Sequence, residues 1–303
     1  IIDLEYRVSD DTLSQLSIEK ASMTLIEKDQ KDALISKLGT PVHQCNGGST
    51  ANSIYVASLF NIATGHLGVI GNDSLGAFAF DDYKKTAIKT SFDDTTVDGD
   101  TACCLVLITP DGERTMLTYL GKSAHFPAGN YIETMIGDSN CLFIEGYLLA
   151  DDHAFNLIKT IVLPTAKATN TKIAFTLSDA GLASFFRERF MFILENKIDY
   201  LFANLGEAVT ISEKNQLDDI LESLATYSDE VVVTDGSKGA YTYANNECIT
   251  HQTLPLTATD TTGAGDAFAG TYLAQRLQGK SIQESGERSN IIAGTVISNY
   301  GAR

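Results

Sequence analysis

From residue 141 onward, short apolar runs alternate with amphipathic stretches, and this rhythm restricts the fold more than any other feature of the chain. Segments 141–146 (CLFIEG), 172–177 (KIAFTL), 199–204 (DYLFAN) and 231–236 (VVVTDG) read as strands, and 153–168, 182–195, 216–227 and 282–299 read as helices. Apolar strands separated by helices imply an α/β fold with a mostly parallel sheet, helices on both faces, and ligands beyond the carboxyl ends of the strands. Residues 240–244 (AYTYA) and 247–251 add a hairpin.

The first half is less regular. Residues 4–8 and 21–26 read as short strands with 9–20 between them, and 27–38 as a helix stopped by Gly39-Thr40-Pro41. Asn46-Gly47-Gly48-Ser49 reads as a turn, 50–61 as a buried helix, 66–71 as a strand and 74–88 as a helix. Residues 101–109 and 114–119 flank Pro110-Asp111-Gly112-Glu113, the pattern of a hairpin. The polar break at 92–100 places Asp94, Thr96, Asp98 and Gly99 at calcium-loop spacing, but Leu105 stands where the bidentate Glu is required, so it reads as a solvated approach to the hairpin.

Charge and cysteines narrow the function classes. A chain of 303 residues suits one large domain or two small ones. Its formal charge of −17 argues against nucleic acid and anionic membranes as partners. It also repels nucleotides, so a phosphate site needs local donors or a metal. No apolar run reaches membrane-spanning length, and no signal peptide is visible. The five scattered cysteines form no CxxC pair and predict reduced thiols in a cytoplasmic protein. The five histidines show no metal spacing and no nucleophile partner. The chain lacks an initiator Met and opens at Ile1-Ile2-Asp3 as if already inside a strand, so upstream residues are expected to be missing from it.

Residues 257–277 carry the chemistry. Thr257, Thr259, Thr261 and Thr262 lead into Gly263, Ala264, Gly265 and Asp266, and Phe268, Tyr272, Leu273 and Leu277 then recur at helical spacing. A glycine turn feeding a helix start presents unpaired N–H groups to an anion. An acid there reads as a helix cap or a catalytic base, and two glycines exceed what a cap requires. Gly121-Lys122-Ser123 and Gly279-Lys280-Ser281 are not phosphate loops, because Met116 and Ala274 stand where the first glycine belongs. Gly68, Gly71 and Gly76 do not make a dinucleotide fingerprint.

Asp260 to Phe268 (DTTGAGDAF) resembles the C-terminal signature of the PfkB, ribokinase-like, kinases, and Asn46 to Ser53 (NGGSTANS) resembles their N-terminal motif, most of all in adenosine kinase-like members. The resemblance runs from Asp3 to Arg303. It implies a three-layer ribokinase-like fold with a mostly parallel central sheet and a small β-sheet lid. Residues 28–95 and 123–303 would form the core, with 1–27 and 96–122 as the lid.

The resemblance also implies roles. Asp266 is the expected base, with Gly263, Ala264 and Gly265 as an anion hole. Asp3, Gly47, Gly48 and Asn52 are expected to hold the acceptor; a carboxylate accepts from two vicinal hydroxyls, although Asp3 alone also reads as a surface acid. Arg114 reads either as a clamp on the transferred phosphate or as a solvated surface arginine. Asn204 and Glu207, directly after a strand, resemble the NxxE motif that orders Mg²⁺ through water; by themselves they read as a turn and a helix-start acid. Thr234, Gly236 and Gly239 resemble the T-x-G-x-x-G segment facing ATP phosphates, or a plain β-turn, and Asn290 borders the adenine pocket. The expected activity is ATP-dependent phosphorylation of a nucleoside's primary hydroxyl, or alternatively of a free sugar such as ribose, fructose or a keto-deoxy sugar acid. A monovalent cation and a monomeric or homodimeric state also come from the family. One departure concerns the acceptor: animal-type adenosine kinases carry Pro-Phe where Ala180-Gly181 stand here, and that Phe packs on the purine.

Overall fold

The computed structural model describes residues 1–123, 125–127, 129–253 and 263–298. They fall into two compact units: residues 1–51 with 65–128, and residues 52–64 with the rest of the chain from 129.

The first unit begins with β1 (Ile2–Arg7), α1 (Asp10–Gln15), β2 (Met23–Leu25), α2 (Lys28–Leu38) and β3 (His43–Asn46). Next comes α3 (Ser49–Ser58), whose later part belongs to the second unit. Then come β4 (Gly65–His66), β5 (Ile70–Gly71), α4 (Ser74–Tyr83), β6 (Lys89–Thr90), α5 (Phe92–Thr95), β7 (Thr96–Val97), β8 (Cys103–Ile108) and β9 (Arg114–Tyr119). Five strands form a sheet in the order β2-β9-β8-β1-β3. β1 runs parallel to β8 and antiparallel to β3, while β8 and β9 form the expected antiparallel hairpin. All of β8 is buried, which is why it reads as one apolar run instead of alternating. Its period of two sets Cys104, Val106 and Ile108 beside Asp3, Glu5 and Arg7 on one face.

The second unit continues with α6 (Tyr131–Gly137), β10 (Cys141–Glu145), α7 (Asp152–Leu157), α8 (Leu163–Thr169), β11 (Lys172–Thr176), α9 (Ala180–Phe185), α10 (Arg187–Glu195), β12 (Ile198–Asn204), α11 (Leu205–Ser212) and α12 (Leu217–Ala225). It ends with β13 (Ser228–Thr234), β14 (Ala240–Ala244), β15 (Glu247–His251), α13 (Ala264–Leu277) and α14 (Ile282–Ile297). Its sheet follows chain order from β10 to β15, parallel through β13 and antiparallel for the final hairpin. Every residue of α13 from Ala267 to Ala274 is buried, the mark of a helix enclosed on all sides. Phe268 and Tyr272 pack with Tyr200, Phe202 and Val232 of the sheet.

Several expectations are corrected. The segment 9–20 holds α1, capped by Ser9, whose side chain accepts from the Thr12 N–H. In place of the expected strand at 66–71 stand two separate two-residue strands, β4 pairing with β6 and β5 with β7. Gly71 approaches the Gly99 carbonyl so closely that any side chain would overlap it. The polar break at 92–100 contains α5 and β7. The helix expected over 153–168 passes through a π turn at Ile158–Val162, just ahead of Pro164, which has no N–H to continue the ladder. The helix expected over 182–195 breaks at Phe186, which leaves the helical region with φ −102° and ψ 30°. Among the described residues, which include all five cysteines, no disulfide forms. No described helix is long and apolar enough to cross a membrane.

Candidate active site

The expected base sits at the start of the buried helix α13. Gly263 is its N-cap and adopts the left-handed conformation, φ 76° and ψ 0°, which glycine enters without a Cβ clash. As a glycine, Gly263 offers no side chain to cap the first turn. The third residue, Asp266, is half-buried and accepts a hydrogen bond on Oδ2 from Asn52 Nδ2 at 2.9 Å. Asn52 is itself only 4% exposed. One turn beyond Asp266, Gly270 meets the backbone of Ser53 so closely that a side chain would overlap the Ser53 carbonyl. This backbone approach of α3 to α13 holds Asn52 against Asp266. Sequence reasoning assigned Asn52 to the acceptor; the structure places its amide on the expected base. Thr257, Thr259, Asp260, Thr261 and Thr262 lie outside the described residues.

Asn204 and Glu207 form a closed capping box at the junction of β12 and α11. Asn204 Oδ1 accepts from the Glu207 N–H at 2.9 Å, Glu207 Oε2 accepts from the Asn204 N–H at 2.9 Å, and Asn204 Nδ2 donates to Glu207 Oε1 at 2.7 Å. Burial pushes the Glu207 carboxyl up to about 7; the Asn204 backbone bond opposes this, and Asp179 and Asp266 add to it. Burial also pushes up the Tyr147 phenol, with Asp179, Glu145, Asp266 and Glu207 reinforcing the shift. Glu145 ends β10, Asp179 follows β11 and caps α9, and Asn204 ends β12. Three consecutive parallel strands thus carry polar residues at their carboxyl ends. Sequence reasoning missed Glu145, Tyr147 and Asp179, although the strand-end rule was signal enough to find two of them.

The third group lies after β13. Thr234 is its last residue, and a short 3₁₀ turn, Gly236–Lys238, leads to Gly239. Gly236 and Gly239 have φ of 52° and 98°, and a side chain at Gly239 would overlap the His251 carbonyl. That carbonyl also accepts from Asn290 Nδ2 of α14 at 2.8 Å. Thr234, Gly236, Gly239 and Asn290 are therefore gathered by the β13–β14 turn and one carbonyl on β15.

Asp3, Gly47, Gly48 and Arg114 belong to the first unit. Asp3 is the second residue of β1, between Cys104 and Cys45 on the neighbouring strands. β3 ends at Asn46, and the buried Gly47 passes against the Asp3 carboxylate with no room for a Cβ. Gly48, φ 101°, then turns the chain into α3. Arg114 opens β9 with its side chain 11% exposed, 3.8 Å from Glu5 Oε1, itself 7% exposed. The reading of Arg114 as a solvated surface arginine is corrected: it is buried beside an acid.

Residues 14–303 match the model of the pfkB family carbohydrate kinases. The chain is 24% identical over 332 residues to adenosine kinase 2 of Arabidopsis thaliana, covering 99% of this chain and 92% of that protein. It is 22% identical over 264 residues to ribokinase of Staphylococcus aureus, covering 85% of this chain and 83% of that one. The crystal structure of adenosine kinase from Sinorhizobium meliloti superposes with a TM-score of 0.90 at 29% identity, covering 100% of this chain and 93% of that chain. The glycine turn and acid of α13, the paired glycines ahead of α3 and the family match across nearly the whole chain lead to one assignment: this is a phosphotransferase of ribokinase-like fold, a member of the pfkB family of carbohydrate kinases.

Proposed function

We propose that this chain transfers the terminal phosphoryl group of ATP to the primary hydroxyl of a nucleoside of the adenosine type. The observation that carries the reading is the Asn52–Asp266 hydrogen bond in the first turn of α13, behind a glycine cap. Phosphoryl transfer is loose and depends mostly on positioning and charge stabilisation. Asp266 takes the proton of the attacking hydroxyl late in the transfer, so a carboxylate of ordinary strength suffices. Asn52 fixes the orientation of that carboxylate. The N-terminal backbone of α13 at Gly263, Ala264 and Gly265 faces the developing charge, aided by the positive end of the helix dipole. Asp3, beside Gly47 and Gly48, accepts from the acceptor's vicinal hydroxyls. Thr234, Gly236, Gly239 and Asn290 hold the nucleotide.

The residues fit Mg²⁺ bound through water. Both Glu207 oxygens are engaged by Asn204, yet each keeps a lone pair for a metal-bound water. Burial is the main reason the Glu207 carboxyl is raised, and Asp179 and Asp266 add negative charge beside it that a divalent cation would relieve. Among the described residues, no three acidic, His or Cys side chains are arranged to hold a metal directly. When bound, Mg²⁺ supplies charge neutralisation across the phosphates. Glu207→Gln keeps an N3 side chain able to complete the capping box but removes the charge. It should raise the Mg²⁺ concentration for half-maximal activity by about tenfold, measured at fixed ATP, with the thermal midpoint little changed.

A free sugar is the second reading, and Ala180-Gly181 favours it: α9 begins here with no aromatic ring at that position. A coupled assay with adenosine, inosine, ribose and fructose separates the two. The proposal expects kcat/KM for adenosine to exceed that for ribose by at least about 10²-fold. The reverse order would make the chain a sugar kinase.

A further inference from the structure

The nucleotide group of the proposed site rests on a side chain too deep to touch a nucleotide. His251 is 0% exposed at the end of β15. Its Nε2 lies 3.0 Å from Thr242 Oγ1 on β14. The Thr242 hydroxyl also acts on the Tyr272 phenol of α13, drawing its pKa down against burial and Glu230, which raise it. Tyr272 in turn donates to Glu230 Oε2 on β13 at 2.7 Å. Arg276 closes the chain, its Nε 3.0 Å from Glu230 Oε2 and its Nη2 2.6 Å from Oε1. Thr242 and Tyr272 are also 0% exposed.

Burial pulls the His251 pKa down against the opposing pull of Glu287, which favours a neutral ring. A neutral imidazole and a hydroxyl form one hydrogen bond in either direction, so Nε2 and Thr242 Oγ1 satisfy one another. The ring's Nδ1 is buried with no hydrogen-bond partner among the described residues. Gly286 of α14 lies against the ring, and any side chain there would overlap Cε1 and Nδ1. The imidazole is thus clamped between a helix backbone on one side and the Thr242 hydroxyl on the other.

The clamp matters because of the His251 carbonyl. It accepts from Asn290 Nδ2, and Gly239 passes against it without room for a Cβ. Gly239 and Asn290, two members of the proposed nucleotide group, both lean on this one peptide.

We infer that His251 is a positioning residue for the nucleotide, its ring held between Thr242 and the backbone of α14 so that its carbonyl keeps Asn290 and Gly239 in register. The inference rests on the proposed nucleotide role of Thr234, Gly236, Gly239 and Asn290, and its consequence is that ATP affinity depends on a hydrogen bond buried beneath the site.

The test measures the dissociation constants of MgATP and of adenosine separately, by calorimetry, for the full chain and for His251→Phe, His251→Gln, Thr242→Val and Asn290→Ala. His251→Phe keeps a ring but loses the hydrogen bond to Thr242, and Thr242→Val removes the same bond from the other side. Both should weaken MgATP by about tenfold while adenosine moves less than about twofold. His251→Gln, whose amide can donate near the Nε2 position, should recover most of the MgATP affinity. If His251→Phe does not fold, Thr242→Val and His251→Gln still decide. Equal weakening of both ligands would reduce His251 to a general structural role and overturn the inference, as would unchanged MgATP binding in folded His251→Phe or Thr242→Val. Asn290→Ala separates the two levels. If it weakens MgATP while the His251 and Thr242 variants do not, only this inference fails. If it leaves MgATP untouched, the nucleotide reading fails and takes the inference with it.

Discussion

Asp266→Asn should lower turnover by about 10³-fold or more, within the range by which a positioned proton acceptor accelerates its reaction. The loss should fall on kcat, with MgATP affinity within about twofold of the parent. Asparagine keeps the shape of the side chain, and its Oδ1 can still accept from Asn52 Nδ2, so the contact between α3 and α13 survives the change. What it loses is a carboxylate able to accept the hydroxyl proton. The Gly263 turn and the backbone of the first helical turn remain, so residual turnover measures what positioning and the helix start achieve without a base. Near-normal kcat in this variant would remove Asp266 from the chemistry.

Gly47→Ala should be nearly as damaging, through a different constant. The added methyl would occupy the volume held by the Asp3 carboxylate, and the Gly47 N–H is already committed to the Ile1 carbonyl at 3.0 Å, so the turn cannot retreat without breaking that bond. Asp3 sits within a strand paired on both sides and cannot move as a unit. Its side chain must rotate away. If it holds two acceptor hydroxyls, about 1.5–3 kcal/mol is at stake for each charge-assisted bond. The acceptor's KM should then rise by about 10²-fold or more, with the KM for ATP largely unmoved. Initial-rate kinetics with each substrate varied in turn would show it, and a parallel rise in both constants would mean the substitution disturbs more than Asp3.

The parts of the fold legible in the sequence are those where one element carries its own signal. The strands from β11 to β13 are apolar because their central residues are buried on both faces, and β8 and β9 are marked by the Pro-Asp-Gly turn between them. Elements that depend on a neighbour were harder to read. β3, with His43 and Gln44, has no strand character and exists because β1 offers it an edge. α11 follows β12 with no loop, since Asn204 is both the last strand residue and the helix cap. The breaks at Pro164 and Phe186 are local events inside sequences whose periodicity stays helical.

The candidate site divides the same way. Gly263 to Asp266 and the Gly47–Gly48 pair are contiguous, so their chemistry can be read locally. Glu145, Tyr147 and Asp179 acquire meaning only from their proximity to Glu207 and Asp266. His251 gives no sequence signal because its partners Thr242 and Asn290 lie 9 and 39 residues away along the chain. Arg114, ambiguous in the sequence, is buried only because β1 brings Glu5 beside it.

The central claim is phosphoryl transfer to a nucleoside's primary hydroxyl, and the phosphorus spectrum of the product tests it most directly. Purified chain incubated with MgATP and adenosine should yield a new phosphomonoester whose ³¹P resonance is split by the two protons of the 5′ carbon, and 5′-deoxyadenosine should yield none. No product from adenosine alongside turnover of ribose or fructose, or a phosphoester coupled to a single proton, would contradict the account.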